Sequence, residues 1–239
     1  ISLKSFDDLQ GLSTLTGPNT DAVKADKLGY TRLVAEMYFK YTTEAIRRHD
    51  PNHMIIGCRF AGNAPAGIWD INGKYCDVVT FNSYPRIDLE TEDVSDLIAL
   101  YSDYYRMAQK PMMLTEWSFP SLDSGLPCKH GAGMRVDTQT QRTQCFRIYQ
   151  EMLFRLPFMV GSDFFMWVDE PALGISDTFP EDSNYGLVNE DDVPYPELTA
   201  MATKVNPTAA KLHGGDYPQL SVTEDLRIRN HGMSAVTTK

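Results

Sequence analysis

The chain has 239 residues, which is enough for one large domain or two small ones. Hydrophobic residues make up 42% of it and charged residues 23%, proportions that are typical of a globular protein. The net charge of −10 disfavours nucleic acid and anionic membranes as partners, so a neutral molecule such as a sugar is the easier partner. No run of about 18 apolar residues occurs, so the sequence predicts no transmembrane helix.

The cysteines and histidines give no sign of a metal centre. None of the four cysteines forms a CxxC pair, and no Cys or His spacing fits zinc. Cys58 and Cys76 lie in or beside apolar strand-like runs, which favours buried free thiols. Free thiols favour a cytoplasmic location, while a mature secreted form stays open because a cleaved signal peptide leaves no trace. No glycine-rich phosphate loop is present, so we expect no cofactor.

The first half of the chain predicts one long helix and two strands. Residues 1–25 are polar and irregular, and residues 27–51 predict a helix that Pro51 ends. Residues 53–60 predict a buried strand, and residues 75–85 predict a second strand. The residues with helical spacing in the long helix are Leu33, Val34, Met37, Tyr38, Tyr41, Ala45 and Ile46.

The second half alternates helices with strands. We predict a helix over 93–109 capped by Asp93 or Ser95, a strand over 110–119, a helix over 137–157 capped by Asp137, and a strand over 159–171. Long loops occupy 60–74, 119–136 and 171–190, a short helix occupies 194–205, and a polar tail occupies 213–239.

Apolar strands that alternate with helices indicate a parallel sheet covered by helices. We therefore expect an α/β fold in a single domain over residues 1–239. Four parallel strands correspond to half of an eight-stranded (β/α)8 barrel.

Polar side chains stand at the end of each predicted strand, where parallel α/β folds place their functional groups. A carboxylate flanked by amide, phenol, guanidinium and indole groups suits a carbohydrate, because indoles stack on sugar rings and polar groups bind the hydroxyls. Each residue alone also fits a helix cap, an ion pair, a turn or core packing, but the set is more specific. Its members are Arg59, Asn82, Tyr84, Glu116, Trp117, Trp167, Asp169 and Glu170.

Several stretches resemble one protein family. "VVTFNSYP", "MMLTEWSF" and "GSDFFMWVDEP" are similar to strands 6, 7 and 8 of retaining glycoside hydrolases with a (β/α)8 barrel, in the clan that includes β-galactosidases and agarases. "YTTEAIRRHDPNHMIIGCRF" resembles helix 4 and strand 5 of agarase-like members, and "NYGLVNEDDVPYPELTAM" resembles their closing segment. The resemblance runs from about residue 30 to residue 212.

The resemblance implies a hydrolase of β-linked galactosides that works by double displacement. Glu116 is then the nucleophile, Tyr84 its hydrogen-bonding partner, and Trp167 the floor of a sugar subsite. Arg59, Asn82 and Trp117 are expected to bind substrate. Arg59 and Tyr84 would hold the Glu116 carboxylate ionised and oriented, because a nearby cation favours the charged form.

One expected feature is missing. In the family an Asn-Glu pair at the end of strand 4 supplies the acid/base, but the one Asn-Glu pair here, Asn189–Glu190, lies in the closing segment. Retaining hydrolysis needs two carboxyl groups. One hypothesis is a homodimer of half-barrels that pairs the exposed sheet edges, with Asp169 or Glu170 of the partner chain as the acid/base. The alternatives are a catalytically deficient carbohydrate-binding half-barrel and a truncated piece without the acid.

Overall fold

The computed structural model describes residues 5–9, 18–62 and 64–214. Its strands are β1 (Val79–Asn82), β2 (Met112–Glu116) and β3 (Met159–Ser162). Short 3-10 turns lie at Phe6–Leu9, Ala66–Ile68, Leu122–Ser124 and Asn206–Thr208. The helices are α1 (Asp21–His49), α2 (Trp69–Tyr75), α3 (Ser95–Ala108), α4 (Gln139–Arg155), α5 (Pro196–Val205) and α6 (Ala209–His213). None of these described helices is long and apolar enough to cross a membrane.

The three strands form one parallel sheet in the order β1-β2-β3, so the predicted parallel sheet is confirmed. The prediction of a fourth strand over 53–60 is wrong, because that stretch meets the sheet only at two bridges, Ile56 to Val78 and Phe60 to Phe81. Between the bridges, Gly57 and Arg59 have φ angles of +23° and +49°. Such left-handed backbone cannot continue a β-ladder.

Strand β2 is the centre of the sheet and of the core. Its Met112 and Leu114 side chains are fully buried, and helices α3 and α4 contribute Tyr101, Tyr149 and Leu153 to the same cluster. Helix α2, which lies in the predicted loop 60–74, adds a further layer. The core therefore occupies the helix-covered face of the sheet.

Helix α1 begins six residues before its predicted start, inside the segment expected to be irregular. Thr20 caps it by accepting a hydrogen bond from the Val23 amide at 3.3 Å. The face that contacts the core carries Ala35 and Phe39, not the predicted apolar residues. The predicted face is largely exposed, and its solvent-exposed large side chains are Leu33, Val34, Met37, Tyr38, Tyr41 and Ile46.

The other element ends differ from the predictions by a few residues. Helix α4 is capped by Thr138 in a capping box with Gln141, so the prediction of Asp137 is wrong. Helix α3 begins after Val94, and Asp93 accepts a hydrogen bond from the Ser95 amide at 2.9 Å. Strand β3 ends at Ser162, far short of the predicted residue 171. Residues 1–4, 10–17 and 215–239, which include most of the predicted tail, lie outside the described residues.

Helices α2 and α3 touch at Gly73, where a Cβ atom would lie 1.9 Å from the Ala108 carbonyl oxygen. We expect Gly73→Ala to lower the free energy of unfolding by about 1–3 kcal/mol or more, because neither backbone can give way. Gly29→Ala is the matched control, since Gly29 lies in α1 with open space around its Cβ position. That control should be neutral or stabilise by up to about 1 kcal/mol. Urea denaturation measures the free energy of unfolding of both variants. A Gly73→Ala variant as stable as wild type would contradict the close contact between α2 and α3.

Candidate active site

Glu116 reaches the open side of the sheet because β2 contains a bulge. The β1–β2 register runs from Phe81 opposite Leu114 to Asn82 opposite Glu116, which leaves Thr115 as the extra residue. In a regular strand without the bulge, Glu116 would share the helix-covered face with Leu114, since side chains two positions apart point the same way. Bulges re-aim side chains in this manner. The Glu116 side chain is 23% exposed, and its carboxylate is accessible from the open side.

Two predicted residues bind the Glu116 carboxylate directly. Arg59 donates from Nη2 to Oε1 at 2.5 Å, and Tyr84 donates from its hydroxyl to Oε2 at 3.1 Å. The same Arg59 nitrogen also donates to the Thr115 carbonyl at 3.1 Å. Burial and the negative charge of Glu116 raise the pKa of Tyr84 far above its usual value near 10. The phenol therefore stays protonated and acts as a donor.

Asn82 and Trp167 lie at the same end of the sheet. Asn82 faces Glu116 across the two strands, and its Oδ1 accepts a hydrogen bond from the Thr115 hydroxyl at 2.9 Å. Trp167 follows β3 and is 67% exposed, so one face of its indole is available to a ligand. The chain before it runs beside β2, because the Phe165 amide donates to the Trp117 carbonyl at 3.0 Å.

Trp117 lies in the core, so the prediction that it binds substrate is wrong. The side chain is fully buried, and its Nε1 donates to the Ser162 hydroxyl at 2.7 Å. Its ring packs against Phe146 and Tyr149 of α4 at centroid distances of 5.2 and 5.0 Å. The reason is the alternation of a strand: with Glu116 on the open side, the next residue must face the helices.

Asp169 is buried and holds the segment that closes the fold. Its two oxygens accept hydrogen bonds from the Asn184 amide at 2.8 and 2.9 Å, the Gly186 amide at 2.6 Å and the Tyr195 hydroxyl at 2.5 Å. Every lone-pair direction of the carboxylate is thus in use. The side chain is not presented to a partner chain, as the predicted acid/base of a composite site would have to be.

Glu170 is also buried, at 2% exposure, but only one of its oxygens is engaged. Oε2 accepts a hydrogen bond from the Ser183 amide at 2.9 Å, while Oε1 accepts none from the described residues. Burial, together with the neighbouring Glu181 carboxyl, raises the pKa of Glu170 to about 8. The neutral form of Glu170 is therefore favoured, and this side chain too is hidden from a partner chain.

The residues that enclose Tyr84 are not among the predicted site residues. Its ring contacts Phe165 and Tyr185 at centroid distances of 6.5 and 5.9 Å, and Gly133 lies against its Cβ. Arg135, which follows in that loop, is directed at backbone carbonyls. The aromatic Tyr185 beside Gly186 was visible in the closing segment, but nothing in the sequence links it to Tyr84.

Within residues 5–9, 18–62 and 64–214, no three His, Cys, Asp or Glu side chains are arranged to hold a metal ion. His130, on the loop after β2, instead has its Nδ1 atom 3.4 Å from Asp182 Oδ2. Cys58, Cys76, Cys128 and Cys145 are free thiols, and all but the half-buried Cys58 are buried.

Because the pKa of Glu170 is raised in the folded chain, we expect its contribution to the free energy of unfolding to depend on pH. Because the pKa of Glu170 rises from 4.5 to about 8 on folding, the unfolded chain ionises first as the pH increases. The contribution of Glu170 to stability is therefore complete below its usual pKa and is lost as the pH rises toward 8. We expect Glu170→Gln to be more stable than wild type at about pH 9 and to differ less at about pH 5.

Urea denaturation at the two pH values measures this difference. Glu44→Gln, at an exposed position on α1, is the matched control and should show no such dependence. A Glu170→Gln variant whose stability follows wild type at both pH values would show that Glu170 is already ionised when folded.

The chain is similar to known proteins in sequence and in structure. No protein-family model matches the chain. The chain is 29% identical over 207 residues to β-agarase B of Vibrio sp. (strain JT0107), a match that covers 85% of this chain and 20% of that protein. The solved structure of an exo-β-agarase aligns with a TM-score of 0.70 at 26% identity, over 86% of this chain and 26% of the other. The crystal structure of an agarase, AgWH50C, gives 0.68 at 28% identity, over 87% and 30%.

Agarases such as these are glycoside hydrolases, which are enzymes that cleave O-glycosyl bonds. The relatives whose names identify them as agarases are 26–29% identical to the chain. The chain spans about a fifth of the length of the curated β-agarases that it matches. It is therefore homologous to one part of a β-agarase.

Proposed function

We propose that this chain carries the nucleophile and sugar-binding residues of a retaining glycoside hydrolase that acts on β-linked galactosides. The observation that supports this most is the Glu116 carboxylate, held between Arg59 and Tyr84 at the end of the central parallel strand. Homology to β-agarases indicates the substrate class.

In the proposed mechanism, Glu116 attacks the anomeric carbon and forms a glycosyl-enzyme as the bond to the leaving oxygen breaks. Arg59 holds the Oε1 atom of Glu116 and Tyr84 holds its Oε2 atom, so the two donors fix the orientation of the carboxylate. A separate carboxylic acid must protonate the leaving oxygen and then remove a proton from the water that releases the sugar.

Trp167 and Asn82 are the proposed sugar-binding groups beside the nucleophile. The exposed indole of Trp167 offers an apolar face on which a pyranose ring can stack. Asn82 offers an amide to a hydroxyl, since its Nδ2 donates to none of the described residues while its Oδ1 is bound to Thr115. Arg59, whose side chain is 55% exposed, has further donors that can reach substrate.

Glu170 is the better of the two candidates for the acid/base. Its neutral form is favoured and its Oε1 atom accepts no hydrogen bond from the described residues, whereas both oxygens of Asp169 accept hydrogen bonds. Since Glu170 is buried inside its own chain, we propose that it serves the site of that chain.

The proposal is tested with an aryl β-galactoside and with agarose oligosaccharides as substrates. We expect Glu116→Gln to abolish hydrolysis, because an amide is too weak a nucleophile to form the glycosyl-enzyme. Glu44→Gln, a control with the same change at an exposed position on α1, should keep full activity. Glu170→Gln should slow hydrolysis most with poor leaving groups, which need protonation.

The outcomes separate the candidate functions. Wild-type turnover by Glu116→Gln would remove Glu116 from the mechanism. A wild-type chain that binds these sugars in calorimetry without hydrolysing them would indicate a carbohydrate-binding half-barrel instead.

We further propose that the chain forms a half-barrel that pairs with a second copy of itself. One face of α1 is an uncovered apolar stripe, formed by Tyr30, Leu33, Val34, Met37, Tyr38 and Tyr41, each of them 47% exposed or more. Exposed apolar areas of this kind mark contact surfaces. A two-fold dimer would cover both stripes and place two sheets around one axis.

Light scattering tests the dimer. We expect a mass of about twice 27.0 kDa for the wild type, and a monomer for Met37→Lys, which puts a charge into the stripe. Lys204→Glu, an exposed change on α5 and not on α1, is the control and should leave the mass unchanged. A monomeric wild type at all concentrations would contradict the dimer and leave the stripe to another partner.

A further inference from the structure

Tyr84 lies beyond the end of β1, so the strand itself does not hold its ring in place. The ring is instead enclosed by three groups from other parts of the chain. Phe165 and Tyr185 contact it, and a Cβ atom at Gly133 would lie 3.1 Å from the Tyr84 Cβ. Gly133 has a φ of +90°, which other residues rarely adopt. The direction of the phenol toward Glu116 therefore depends on where the loop around Gly133 sits.

That loop, residues 128–135, is fixed internally by Arg135. The Arg135 guanidinium donates to the carbonyls of Gly131 and Gly133, each at 2.9 Å, and to the carbonyl of Cys128 at 3.3 Å. The planar, always charged guanidinium of Arg135 thus binds three carbonyls of the same loop. Its Nη2 also donates to the Ser183 hydroxyl at 3.2 Å, which ties the loop to the closing segment.

The closing segment holds the same loop from the other side. Asp182 accepts hydrogen bonds from the Lys129 and His130 amides, both at 2.8 Å, and the Ser183 hydroxyl donates to the His130 carbonyl. The Tyr185 hydroxyl donates to the Ala132 carbonyl at 2.6 Å while its ring packs on Tyr84. Tyr185 is 1% exposed, so these contacts are shielded from water.

We infer that Arg135 and Tyr185 are positioning residues that hold the Tyr84 phenol against Glu116 by fixing the 128–135 loop. Neither residue donates to Glu116, so both act through Tyr84. The consequence for turnover rests on the proposed glycosidase function, but the positioning itself does not. The inference assigns the loop after the central strand a role in orienting the nucleophile.

The first test needs no activity. 3-Fluorotyrosine is placed at position 84, and its ¹⁹F resonance is recorded in wild type, Arg135→Gln and Tyr185→Phe. We expect a single narrow line in the wild type and a shifted or exchange-broadened line in both variants. Arg48→Gln, an exposed arginine at the end of α1, is the control and should leave the line unchanged. An unchanged Tyr84 line in Tyr185→Phe and Arg135→Gln overturns the inference, and Tyr185→Phe decides alone if Arg135→Gln does not fold.

The second test is a double-mutant cycle on kcat/KM. We expect Arg135→Gln to lower kcat/KM about tenfold or more, as misplaced catalytic groups do. In a Tyr84→Phe background the same change should have little further effect, because the group through which it acts is gone. Equal losses in both backgrounds would overturn the inference. An inactive wild type would refute the proposed function, while the fluorine spectra would still decide the positioning.

Discussion

The extra residue in β2 is the constraint on which the site depends. Met112 and Leu114 are fully buried on the helix-covered face, and that burial fixes the orientation of the strand. A regular strand would then bury Glu116 among the same helices. Because Thr115 is inserted opposite the Phe81–Asn82 step, the next carboxylate emerges on the open side and Trp117 returns to the core. Thr115 remains tied by its hydroxyl to Asn82 and to the Phe81 carbonyl, so the bulge is held on both sides.

Arg59 reaches Glu116 for a related reason. Its stretch has the apolar composition of a strand, but Gly57 brings the backbone so close that a Cβ would lie 2.6 Å from the Thr80 hydroxyl. That hydroxyl then accepts from the Arg59 amide at 2.8 Å, in place of a ladder carbonyl. The backbone turns at this point, and the guanidinium leans across to the end of β2. Two departures from regular strand geometry therefore bring the cation and the carboxylate together.

Elements with a regular pattern could be predicted from the sequence, whereas these two departures from strand geometry could not. Periodicity located β1, β2, α3 and α4, because each buries a face whose pattern is local. The rule that parallel strands end at one edge then placed Tyr84 near Glu116, and Arg59 joins them although its stretch is not a strand. Trp117 was misplaced because a bulge has no sequence signature in an apolar run, and only the neighbouring strand reveals it.

The prediction of which face of α1 is buried was wrong for another reason. Apolar residues occur on both sides of this helix, and spacing cannot tell which side the sheet will cover. The enclosure of Tyr84 depends on contacts more than 45 residues apart in sequence, such as those from Gly133 and Tyr185, and local pattern carries no trace of them.

The two carboxyl groups of the proposed reaction stand in opposite environments. Glu116 is partly exposed, and its two oxygens accept hydrogen bonds from the Arg59 guanidinium and the Tyr84 phenol. Glu170 is buried beside Glu181 with one amide donor, which favours its neutral form. An ionised nucleophile and a protonated acid are what a retaining glycosidase requires at neutral pH.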